Sequence, residues 1–219
     1  MPSGTADYPP PGRGEPHWPP LACLATAIAL QFVLPNELIP GPRWLLPGLE
    51  TLLMVGLISV SPYRISGRNR TRRRVSLSAI AIVSATNGVS LALLCRLLLR
   101  HNVANGHQLI VAGALIWLTN VLLFALWYWE QDRGGPGVRA AGEDGPPDLL
   151  FPQISADGPW GDWRPQFLDY LYVSLTNATA FSPTDTMPLT VEAKMVMGLQ
   201  SVISLVTIGL IISRAVNIL

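Results

Sequence analysis

Long apolar runs separated by polar breaks recur along the chain, and five of them are long enough to read as membrane-spanning helices. Crossing about 30 Å of hydrocarbon takes about 20 helical residues, because no water is present there to satisfy bare peptide groups. The runs 21–38, 44–63, 75–99 and 108–129 meet that length, the first marginally and with Pro35 near its end, and 196–218 is as clear. A sixth run, 167–183, is shorter, rich in hydroxyls and closed by Pro183. The pattern predicts an all-α fold, a polytopic transmembrane bundle of about six spans. The alternative is five spans plus a re-entrant, pore-like helix over 167–185.

Basic residues favour the first arrangement. Arg64, Arg68, Arg70, Arg72, Arg73 and Arg74 fall between the second and third runs. Such a cluster stays cytoplasmic by the positive-inside rule, which places the amino terminus in the cytoplasm as well. With six spans, Arg13, Arg133, Arg139, Arg164 and Arg214 join the cluster, so 11 basic residues lie inside. Four, Arg43, Arg96, Arg100 and Lys194, lie outside. Residues 1–18 are rich in Pro and Gly and lack the charged start and apolar core of a cleavable signal, so they read as a disordered cytoplasmic tail. Residues 19–219 form the transmembrane domain, interrupted by a linker-like, mobile loop at 131–164.

Composition agrees with this class. Hydrophobic residues make up 49% of the 219 and charged residues only 13%, about half the charged share of soluble domains. A net charge of +1 supplies no basic field for nucleic acid. The partner it implies is the lipid bilayer. Cys23 and Cys95 sit in apolar runs without zinc or redox spacing and read as packing residues.

Each run carries an amide or acid near its middle: Gln31, Glu50, Asn87, Asn120, Asn177 and Gln200. Such groups either bond helices to one another or line a hydrated pathway. Glu50 is the costliest, since a carboxylate in hydrocarbon must be paired, protonated or wet. Ser84, Ala85, Thr86, Gly88 and Ser90 surround Asn87 with small side chains, a pattern that lets a neighbouring backbone come close. The stretch 174–190, SLTNATAFSPTDTMPLT, is the richest in polar groups. Its prolines break the helix and free carbonyls, which at membrane depth must be buried or line a cavity. Ser174, Asn177, Thr179, Thr184 and Asp185, with Glu50, Asn87, Asn120 and Gln200, are therefore the candidate ion or solute pathway. The bland reading of the same stretch is a turn in which Asp185 or Thr190 caps the last helix.

No G-x-S-x-G, H-E-x-x-H or P-loop pattern occurs, and His101 and His107 have no third ligand nearby. The expectation is a non-enzyme without metal or cofactor. A monovalent cation or proton is the expected solute, and a homo-oligomer the expected assembly.

From residue 116 onward the chain resembles a widespread bacterial family of uncharacterised multi-spanning membrane proteins. The pieces that carry the resemblance are the aromatic stretch 125–129, Phe151 and Pro152, Asp169 to Tyr172, Phe181 with Thr184 and Asp185, and Ala215 to Asn217. The resemblance implies a bacterial plasma-membrane location and a class rather than an activity. More faintly, the same stretch is similar to the pore region of two-span potassium channels. Tyr172, Ser174 and Thr179 fit its pore helix, and Asp185, Pro188 and Thr190 fit the segment after its filter. The glycines of that filter are replaced here by residues 180–184, so the resemblance does not carry potassium selectivity with it.

Overall fold

A computed structural model describes residues 15–39, 41–42, 44–60, 69–98, 106–142, 145–155, 163–179 and 185–216. Within them the chain is mostly helical. Four helices come first: α1 (Trp18–Val33), α2 (Leu45–Val60), α3 (Arg70–Leu98) and α4 (Gly106–Gln131). Two short helices, α5 (Pro136–Ala141) and α6 (Pro152–Ser155), precede α7 (Phe167–Thr179) and α8 (Val191–Val216). Between them β1 (Leu149–Leu150) pairs antiparallel with β2 (Met187–Pro188), Leu149 opposite Pro188 and Leu150 opposite Met187.

Three helices, α3, α4 with its following turn, and α8, are long and apolar enough to cross a membrane. At 16 residues each, α1 and α2 extend only about 24 Å. Helix α4 is the hub of the bundle and packs against α1, α3, α7 and α8. The polarity of α8 is inverted relative to a soluble helix. Its buried stripe is Ala193, Met197, Gln200, Ser204 and Thr207, while Met195, Leu199, Val202, Leu205 and Ile212 are exposed. Spacings of three and four put the small and polar side chains on one face and leave the aliphatic ones outside, as lipid demands.

Contacts along α4 give the direction of its neighbours. Tyr170 reaches Asp132, Ser174 reaches Val121 and Ala178 reaches Trp117, so α7 runs antiparallel to α4. Gln200 meets Tyr128, Ser204 meets Asn120, and Ile211 lies against Gly113, so α8 is antiparallel to α4 too. Consecutive helices α7 and α8 therefore point the same way. The chain before α7 and the chain before α8 lie at one end of the bundle, where the β1–β2 pair joins them.

Three boundaries differ from the hydropathy pattern. Helix α3 starts at Arg70, well before the apolar run at 75, because Asn69 Oδ1 accepts from the backbone N–H of Thr71 (3.0 Å) and Arg72 (3.1 Å). Helix α8 starts at Val191, where Thr190 Oγ accepts from the N–H of Ala193 at 3.2 Å. The third concerns the mobile loop expected at 131–164. Residues 131–142 and 145–155 are instead folded against the bundle through buried Asp132, Arg139, Leu149 and Phe151. Glu15 and His17 likewise leave the disordered tail expected over 1–18: Glu15 bonds Arg139, and His17 is buried. Residues 1–14 lie outside the described residues.

Candidate functional site

The membrane-depth polar residues come together in separate clusters rather than in one line. In the first, the Glu50 carboxylate is fully buried and accepts from Gln31 Nε2 at 3.0 Å and Thr86 Oγ1 at 3.3 Å, joining α1, α2 and α3. Asn87 donates to the carbonyl of Ile116 at 3.3 Å, and Asn120 donates to Ser204 Oγ at 3.1 Å. These two link α3 to α4 and α4 to α8.

The second cluster is the densest and lies where α4, α7 and α8 meet. Gln200 donates to Ser174 Oγ (2.7 Å) and to the Ser174 carbonyl (2.9 Å). Its Oε1 accepts from the Tyr128 hydroxyl and from Asn177 Nδ2, the latter at 2.8 Å. Asn177 also donates to the Met197 carbonyl (3.0 Å) and accepts from Ser201 Oγ (3.0 Å), and Ser174 donates to the Val121 carbonyl (2.6 Å). A polar side chain buried in hydrocarbon has no water to fall back on, so reciprocal pairing of this kind fixes the three helices in register.

Thr179 donates to the Thr176 carbonyl one turn back. Asp185 is exposed and stands apart from both clusters. Thr184 lies outside the described residues. Of the nine candidate residues, Glu50 thus belongs to one cluster and Ser174, Asn177 and Gln200 to another; Asn87 and Asn120 bridge helices singly, Thr179 and Asp185 join neither cluster among the described residues, and Thr184 lies outside them.

Sequence reasoning missed a third polar assembly, at the end of the bundle where α4 stops. Asp132, fully buried, accepts from Tyr170 Oη (2.7 Å) through Oδ2, and from the N–H of Asp148 (2.9 Å) and Leu149 (3.3 Å) through Oδ1. Asp148 answers by accepting from the N–H of Arg133 (2.9 Å) and from Thr190 Oγ1 (2.7 Å). Arg139 grips Glu15 through Nε (2.6 Å) and Nη2 (3.1 Å) and donates to the carbonyls of Trp129 and Asp132. Burial acts to lower the pKa of Arg139. Tyr170, Glu15 and Asp132 act the other way, and the net shift is upward. Beside this assembly, Arg72 and Glu130 form a buried ion pair at 3.1 Å, with Ser76 Oγ donating to the same carboxylate at 2.6 Å. Arginines and acids scattered through Gly- and Pro-rich sequence look solvated. Only the pairing of Arg72 with Glu130 across 58 residues, and of Arg139 with Glu15 across 124, gives them away.

The small residues of α3 divide: Thr86 and Ser90 are buried, whereas Ser84, Ala85 and Gly88 leave space beside them. Ser84, Ala85 and Gly88 border a crevice of about 560 Å³ whose far wall is Val196, Leu199 and Ile203 of α8. A Cβ placed on Gly88 would meet nothing within 4 Å. The close approach occurs elsewhere, at Gly113 of α4, where a Cβ would come within 2.7 Å of Ile211.

Compared with family models, curated proteins and solved structures, the chain matches none.

Proposed function

We propose a membrane protein of five spans, α1 to α4 and α8, in which α7 enters the bilayer from the arginine-rich end and the chain returns to that same end. Its function is to bind or pass a monovalent cation, a proton or a small polar solute beside the inner end of α7, at Ser174, Asn177 and Gln200. One observation carries the reading: the chain on either side of α7 is tied together by the β1–β2 pair and the Asp148–Thr190 bond, while α7 and α8 run in parallel. With 13 residues, α7 is about 20 Å long and too short to cross. A helix that ends inside hydrocarbon needs shelter from protein or from a water-lined cavity, and binding sites and filters are built that way. The order of long helix, re-entrant helix and long helix over α4, α7 and α8 is similar to that of two-span channels.

Orientation follows from charge. Among the described residues, Arg70, Arg72, Arg73, Arg74, Arg133, Arg139, Arg164 and Lys194 lie toward one end of the bundle, and Arg96 and Arg214 toward the other. The first end faces the cytoplasm of a bacterial plasma membrane. This departs from two-span channels, whose pore helix enters from outside. The exposed apolar face of α8 is open to lipid or to a second copy, and a homo-oligomer belongs to the proposal.

A second reading, a non-transporting scaffold, is favoured by the thorough mutual bonding of Ser174, Asn177 and Gln200, which leaves little capacity for a solute. Proteoliposomes containing the full chain separate the two. Cation or proton flux that disappears in Asn177→Ala and in Gln200→Ala supports passage. No flux from correctly folded wild-type protein, under either a cation or a proton gradient, overturns it in favour of the scaffold.

A further inference from the structure

A second cavity, of about 720 Å³, opens at the end of the bundle between the start of α3 and the turn that follows α4. Its walls include Arg70, Arg72, Arg73, Arg74 and Arg133, with Gly134, Gly137 and Val138 also lining it. Five guanidiniums bordering one cavity repel each other. Four of them also stand at or near the first turn of α3, the positive end of the helix dipole.

Compensation within the described residues is partial. Arg72 is paired with Glu130, and Arg133 lies 3.9 Å from Asp132. Arg70, Arg73 and Arg74 are exposed and have no ion-pair partner among the described residues. Arg72 differs from them: its side chain is 2% exposed and its terminal nitrogens face Glu130, so the positive charge left uncompensated among the described residues is that of Arg70, Arg73 and Arg74.

We propose that this cavity binds a phosphate-bearing anion. A phosphodiester or phosphomonoester offers several acceptor oxygens to the guanidinium forks and places negative charge at a helix N-terminus. On the membrane border a lipid headgroup presents this chemistry, and clefts lined by arginine between spanning helices suit it. Free phosphate offers the same chemistry from solution. The proposal is independent of whether a solute passes along α7, because the cavity shares no lining residue with the Ser174–Asn177–Gln200 cluster.

The test uses full-length protein in a neutral detergent, titrated with dioleoylphosphatidylglycerol, with dioleoylphosphatidylcholine and with inorganic phosphate, and read by native mass spectrometry and by tryptophan fluorescence. The variant is Arg70→Gln/Arg73→Gln/Arg74→Gln, three exposed side chains whose removal spares the Arg72–Glu130 pair. Phosphatidylglycerol binding that weakens on the order of a hundredfold in the variant, about fivefold for each guanidinium removed, supports a lipid headgroup. Saturable inorganic phosphate binding lost in the same variant, with no preference for phosphatidylglycerol over phosphatidylcholine, supports a soluble phosphate. Anion binding unchanged in the variant, or no binding of either anion above phosphatidylcholine, overturns the proposal.

Discussion

Thr190 donates its hydroxyl hydrogen to Asp148 Oδ1 over 2.7 Å, so the residue that caps α8 is fastened to the chain that precedes α7. The carbonyl of Asp148 accepts from the N–H of Leu189 at 2.8 Å, and the other carboxylate oxygen takes the N–H of Arg133. One aspartate thus gathers the end of α4, the strand before α7 and the start of α8. This knot holds the described chain on either side of α7 at one end of the bundle, and the reading of α7 as re-entrant stands on it.

Removing Glu130 leaves the Arg72 guanidinium buried without a counter-charge. Glu130→Ala is expected to destabilise the protein by about 3–5 kcal/mol, whereas Arg72→Met/Glu130→Leu, which removes both charges, recovers most of that loss. Thermal unfolding in detergent, followed by circular dichroism, checks it. A double variant no more stable than Glu130→Ala would contradict the pairing.

The polar clusters should differ in strength. Gln200 satisfies Ser174, Asn177 and Tyr128 at once, so Gln200→Leu strands several buried groups and costs about 1–3 kcal/mol. Asn120 shares one side-chain bond with Ser204, and Asn120→Leu costs nearer 0.6 kcal/mol, roughly the average for a single interhelical bond in a membrane. Equilibrium unfolding of both variants in mixed micelles measures the difference, and equal losses would mean that the cluster does not act as a unit.

Two glycines in neighbouring helices should respond oppositely to one methyl group. Gly113→Ala sets a Cβ 2.7 Å from Ile211 Cγ1, forces α8 outward and costs about 1–3 kcal/mol, with partial rescue by Ile211→Val. Gly88→Ala points into open space and gains helix propensity, so its melting temperature should hold or rise. A Gly113→Ala melting temperature equal to wild type would show that α4 and α8 are not in contact there.

Much of the bundle is legible from hydropathy alone, because the cost of a bare peptide group in lipid forces long apolar helices where α3, α4 and α8 stand. The start of α3 is not, since Arg70 to Arg74 read as loop until Asn69 is seen capping them and Arg72 is seen to reach Glu130. Residues 131–142 and 145–155 read as linker for a similar reason. What folds them is the pairing of Asp132, Arg139 and Asp148 with groups far away in sequence. Charge counting could not decide the course of α7. Turning it back within the bilayer moves Lys194 to the arginine-rich end and Arg214 away from it, so the balance of basic residues is the same for both topologies. Of the candidate site, Ser174, Asn177 and Gln200 stand out as amides and hydroxyls in an apolar run, but their contact depends on α7 and α8 being parallel, which no pattern along the chain encodes.

The course of α7 is tested most directly by labelling two exposed positions that flank it, Gly145 and Asp185. Each is changed to cysteine in a background carrying Cys23→Ala and Cys95→Ala, and intact cells and inside-out vesicles are treated with a membrane-impermeant maleimide. A re-entrant α7 requires both positions to react in the inside-out vesicles and neither in intact cells. Labelling of Gly145→Cys from one face and Asp185→Cys from the opposite face would mean that α7 crosses the bilayer, and the five-span arrangement would have to be given up.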